Sequence, residues 1–182
     1  MIRRLPSLAF CSTIVLSSLS ISLAQQAPGA VFREMDINQR TVLAEPASDK
    51  ERMAWEKVNA AVDLNAKAKA AGDYLKEFPE GAFVPYCHEI LAVIARQKKD
   101  SKGFFEHGEK AVSALPDSVA LMANLSAAYA DDMKPELALA RGKRALDLLP
   151  MMECPPEYLP ETWPERRSLM MVEAHYGVGT AY

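Results

Sequence analysis

A nine-residue stretch returns 34 positions later, and this echo constrains the fold more than any other feature of the chain. Gly108-Glu109-Lys110-Ala111-Val112-Ser113-Ala114-Leu115-Pro116 aligns with Gly142-Lys143-Arg144-Ala145-Leu146-Asp147-Leu148-Leu149-Pro150, keeping Gly, a basic residue, Ala, an aliphatic residue, Leu and Pro in register. A period of this length signals stacked helix–turn–helix units, because one such unit cannot bury its apolar face alone and its neighbour completes the core. Strand signals are nearly absent: no alternating run is rich in Val, Ile and Thr, and no Asn-Gly or Asp-Gly hairpin occurs. The expected class is all-α, built from antiparallel helix hairpins.

The N-terminal 24 residues read as a secretory signal to be kept apart from the fold. Arg3 and Arg4 form a basic start, Leu8 to Ile21 is mostly apolar, and Ser22-Leu23-Ala24 offers small residues where a signal peptidase cuts. Serines dilute the run below the roughly 20 apolar residues a spanning helix needs, so stable membrane insertion is not expected after cleavage. Cleavage after Ala24 leaves a mature chain with a net charge of −5, since the full chain nets −3 and the signal carries only those two arginines. Such a balance disfavours nucleic acid and anionic membranes as partners. The expected location is periplasmic or secreted.

Residues 25–47, with Pro28, Gly29 and Pro46, read as an extended leader, and residues 48–182 as a helical repeat domain. Ser48 and Glu51 have capping-box spacing, and Met53, Ala54, Trp55, Val58, Ala61 and Val62 give one apolar face. Asn65 is placed to start a second helix over 66–78, whose Ala70, Ala71, Tyr74, Leu75 and Phe78 face inward. Together these form a degenerate hairpin over 48–80. Helices then follow over 85–96, 104–115, 119–130 and 135–149, giving repeats 85–118 and 119–152, with Pro135 suited to a first helical position. A Pro-rich insertion spans 151–163. Thr162 and Glu165 suggest another capping box, opening a partial repeat over 164–182.

Counted from Val119, the second repeat has Met122 at position 4, Leu125 at 7, Ser126 at 8, Tyr129 at 11, Ala138 at 20, Gly142 at 24, Ala145 at 27 and Pro150 at 32. This spacing resembles the tetratricopeptide repeat. Counted from Pro85, the preceding unit places Leu91, Ala92, Ala95, Phe104, Gly108, Ala111 and Pro116 at 7, 8, 11, 20, 24, 27 and 32. Gly108 and Gly142 stand where the family carries an aromatic residue, and Phe104 where it carries a small one. The resemblance implies a short right-handed solenoid. In the trailing unit, Val178, Gly179 and Tyr182 are spaced like positions 7, 8 and 11, with position 1 at Met171 or Val172. A chain ending there lacks its second helix, so continuation past Tyr182 is expected.

The chemistry-bearing residues have structural readings. Cys87-His88 is an adjacent pair whose side chains diverge by roughly 100° on a helix, and no ligand set follows, so no metal site is expected. His88 and His175 share repeat position 4, a packing slot. Cys87 and Cys154, the only cysteines after the signal, read as isolated thiols. No nucleophile elbow, phosphate loop or base–nucleophile arrangement occurs, so neither enzymatic activity nor a cofactor is expected. The methionines read as core filling, and the glycosylation triplet Asn124-Leu125-Ser126 as an accident inside a helix.

The family resemblance implies a concave face on the stacked first helices as a docking groove. It would carry Tyr86, Glu89, Val93, Arg96 and Gln97 from one repeat and Ala120, Ala123, Asn124, Ala127, Ala130 and Asp131 from the next. Glu89 and Val93 replace the Lys and Asn of the family's carboxylate clamp, so a shallow apolar groove for a helix or extended peptide is expected. The expected function is an exported, non-catalytic scaffold for protein or peptide binding. The alternative is a repeat region whose enzymatic or membrane module lies beyond residue 182.

Overall fold

A computed structural model describes residues 44–155 and 158–182, so the signal reading over 1–24 and most of the leader lie outside the described residues. The described residues are all-helical: α1 (Asp49–Ala60), α2 (Leu64–Glu77), α3 (Val84–Gln97), α4 (Ser101–Ala114), α5 (Val119–Asp131), α6 (Pro135–Leu148), a 3-10 turn (Leu149–Met151) and α7 (Trp163–Gly179). Consecutive helices pair as α1 with α2, α3 with α4, and α5 with α6. Between pairs, α2 lies on α3 and α4 touches α5, while α7 packs against both α5 and α6. None of these helices is long and apolar enough to cross a membrane.

The helix starts correct the sequence reading in several places. Ser48 does cap α1, its Oγ accepting from the Glu51 N–H at 3.2 Å, but the box is not reciprocal. Glu51 reaches back to the Ala47 N–H at 2.7 Å and inward to the Tyr74 hydroxyl and the Ala82 N–H, at 2.6 and 2.7 Å. Asp63, rather than Asn65, caps α2, one carboxylate oxygen accepting from both Asn65 and Ala66 at 2.9 Å. Asp100 caps α4 through the Gly103 N–H at 3.0 Å, so that helix begins at Ser101 instead of Phe104. Thr162 makes no cap: its hydroxyl donates to the Leu159 carbonyl at 3.0 Å.

The 34-residue echo extends to the turns. Lys99 and Met133 both take left-handed backbone angles, φ 59° and 56°, in the turns that close the two full hairpins. The hydrogen bonds repeat with them: Lys99 N–H to Arg96 and Asp100 N–H to Ala95, then Met133 N–H to Ala130 and Lys134 N–H to Tyr129. Each set is a Schellman closure, in which a left-handed residue lets two N–H groups return to the last carbonyls of a helix. Ala111 and Ala145, 34 apart, are both wholly buried, as small residues between closely packed helices must be.

Two apolar clusters share α3. Cys87, Ile90 and Ile94 join Trp55, Val58, Ala71, Tyr74 and Phe83 on one side. Ala92, Val93 and Ala95 join the larger cluster built by α4 to α7 on the other. This explains why α3 is apolar on more than one face. In the leading hairpin, Met53 and Val62 are 52% and 88% exposed, against the expected apolar face: that face narrows to Trp55 and Val58, and α1 ends at Ala60 before Val62 can join it.

Glycines set the approach of α7. A Cβ on Gly142 would stand 2.5 Å from Ser126 Oγ and 2.9 Å from the Ala174 carbonyl oxygen, and one on Gly177 would stand 2.7 Å from the Ser126 backbone carbon. The seam closes only without those carbons. The buried residues of α7 include Met170, Glu173, Ala174 and Gly177. They match positions 4, 7, 8 and 11 of a unit starting at Arg167, not at Met171 or Val172. The expected trailing register was therefore one helical turn too late: Gly179 is exposed with open space around it, and Tyr182 is 88% exposed.

Candidate functional site

The eleven expected groove residues divide by depth. Glu89, Val93, Ala123, Asn124 and Ala127 are buried, the last four at 2% exposure or less, and cannot line an open groove. Central α5 is the cause: flanked by α4, α6 and α7, it exposes nothing from Leu121 to Ala127. Glu89 accepts the Ser118 hydroxyl at 2.6 Å and so ties α3 to the start of α5. Asn124 donates to the Ala120 carbonyl at 2.9 Å and is wholly buried, which also removes its triplet from any glycosylating enzyme in the folded chain. Tyr86 is half-buried near Trp55, their ring centroids 6.2 Å apart.

Ala120 and Ala130 are half-buried on α5, and Arg96, Gln97 and Asp131 remain, all at the C-terminal ends of α3 and α5. There the structure has a cleft of about 250 Å³, lined by Arg96, Lys99, Ser101, Phe104, Phe105, Ala128, Asp131 and Asp132. Half-buried Arg96 donates to the Asn124 carbonyl at 3.2 Å, and its guanidinium lies 5.2 Å from the Phe104 ring centre. Burial pushes its pKa down, while Glu173 and Asp131 pull it the other way. The acids are engaged: Asp132 pairs with Lys134 at 2.7 Å, and Asp131 accepts the Tyr176 hydroxyl at 2.7 Å. That hydrogen bond raises the Tyr176 pKa.

The cleft floor is fixed by contacts between repeats. Phe105 stacks on Tyr129 with centroids 4.4 Å apart, and the Lys134 ammonium sits 4.9 Å from the Phe105 ring centre. The Tyr129 hydroxyl donates to Glu109 at 3.0 Å, and Arg141 grips the same carboxylate through both Nε and Nη2. Such a two-pronged guanidinium–carboxylate contact fixes geometry as well as charge. Thus α4 is held to α5 and α6 immediately beside the cleft. Lys99 and Phe105 escaped the sequence reading, although the repeated left-handed turn beside them falls at the same 34-residue spacing.

A second constellation lies within the first full hairpin. His88 on α3 and His107 on α4 are half-buried, with Nδ1 atoms 2.9 Å apart and ring centroids 5.2 Å apart. Burial and the neighbouring imidazole bring the His88 pKa down to about 4; burial likewise lowers that of His107. Position 4 of this repeat therefore packs against another histidine, but the shared slot does not hold for His175, which is exposed on α7 while Met170 takes the buried place. Cys87 is fully buried, its thiol pushed up to about 12 by burial, and Cys154 sits half-buried in the other cluster. Met122 and Met170 fill the core as expected, whereas Met133 and Met151 are 86% and 75% exposed because they fall in turns. Comparison with protein-family models, curated proteins and solved structures yields no match.

Proposed function

We propose that this chain is an exported, tetratricopeptide-like binding module, without a catalytic role, that engages a protein or peptide at the turn-end cleft between its two full repeats. The cleft itself is the observation that carries this reading. Its volume of about 250 Å³ falls below the roughly 300–1,000 Å³ of small-molecule sites, and so suits one inserted side chain or a peptide end. Arg96 and Lys99 offer positive charge beside the Phe104 and Phe105 rings, a mixture suited to an anchor with one apolar and one polar end. Export rests on the pattern of residues 1–24 alone.

The test is site-specific photocrosslinking in extract from the source cells. A crosslinker at Ser101, on the cleft, should trap a defined partner that excess unlabelled protein competes away. The same group at exposed Lys143, on α6, should not. Equal trapping at the two positions, or none at Ser101, would overturn the assignment of the cleft.

A further inference from the structure

The His88–His107 pair is independent of the cleft and has a chemistry of its own. We propose that its two Nδ1 atoms form a chelating site for a divalent first-row transition ion. Imidazole–metal bonds run about 2.0–2.1 Å, so two nitrogens 2.9 Å apart lie within reach of one shared ion.

The surroundings define the rest of the site. Cys87 precedes His88 but turns into the leading apolar cluster, so it is withdrawn from ligation. Among the described residues no group of three His, Cys, Asp or Glu converges, which leaves the remaining coordination positions to water. Glu106 is exposed and bonded to Lys110 at 3.0 Å, one residue from His107. In the metal-free pair one ring donates its Nδ1 hydrogen to the other. Binding requires that ring to carry its hydrogen on Nε2 instead, a tautomer change that leaves the proton count of the pair unaltered.

Titrating the full chain with Ni(II) chloride in a calorimeter should give one site per chain. His88→Ala or His107→Ala should weaken it by at least about tenfold, since even an outer partner of a ligand commonly contributes that much. His175→Ala, on α7, should leave it intact. Circular dichroism checks that each variant is folded. Should either variant fail to fold, the wild-type chain still decides: substoichiometric paramagnetic ion should broaden the imidazole signals of His88 and His107 before that of His175. Unchanged affinity in folded His88→Ala and His107→Ala, no binding by the wild type, or earlier broadening of His175 would overturn the site.

Discussion

Gly142 and Gly72 are both helical, yet the space around them differs, and that difference decides what a methyl group does. A Cβ at Gly72 meets nothing within 4 Å, so Gly72→Ala should raise stability by about 0.5–1 kcal/mol through helix propensity. At Gly142 the same atom would run into Ser126 and the Ala174 carbonyl, and Gly142→Ala should lower stability by about 1–3 kcal/mol. Urea denaturation of the two variants checks the opposite signs. Glu51 supplies a pH test. Its carboxylate, buried under the Tyr74 hydroxyl and two backbone N–H groups, has a pKa below the usual 4.5, led by the Tyr74 hydrogen bond. A depressed carboxylate contributes stability above its unfolded pKa and loses it as pH falls through the folded value. The urea midpoint should therefore fall as pH drops below about 4.5, and Glu51→Gln should be less stable at pH 7 but flatter in acid. Of the apolar face expected on α1, Trp55 and Val58 are buried while Met53 and Val62 are exposed, and Glu51's three partners lie up to 31 residues away, where local pattern has no reach.

Each full hairpin is closed by the same device, and at this scale the sequence was legible in part. The period of 34, Ala111 and Ala145, and the first-turn proline of α6 could be read directly. The left-handed turns could not, because Lys99 and Met133 occupy positions where glycine usually announces a helix end. A side chain at φ near +57° is strained, so Met133→Gly should stabilise the α5–α6 hairpin by about 0.5–1 kcal/mol, net of the added freedom of the unfolded chain. Thermal melting measures this, and an unchanged or lower midpoint would contradict the turn geometry. Ala145 is wholly buried in the larger apolar cluster. Ala145→Leu should overpack that contact and cost roughly 1–3 kcal/mol, read as a lower midpoint in circular dichroism. An unchanged midpoint would refute the packing position.

Across the whole molecule, α7 changes what the repeat reading implies. Lying against both α5 and α6, it occupies the place of a next repeat's first helix and leaves α5 enclosed. The expected groove is the concave face that the family resemblance implies for α3 and α5, and the resemblance does not say how deeply a third element encloses those particular residues. Arg96, Gln97 and Asp131 stayed accessible because they lie at helix ends, beyond the closest packing. The trailing register slipped by one turn because several apolar residues of α7 recur at helical spacing, and only contact with Ser126 selects among them. This glycine seam joins α7 to α5 and α6. Its most direct test is the thermal midpoint of Gly177→Ala beside that of Gly179→Ala. Gly177→Ala should lose about 1–3 kcal/mol, a fall of several degrees for a chain of this size, while Gly179→Ala, with open space around it at the last helical residue, should not fall below the wild type. Equal midpoints, or a larger fall for Gly179→Ala, would contradict it.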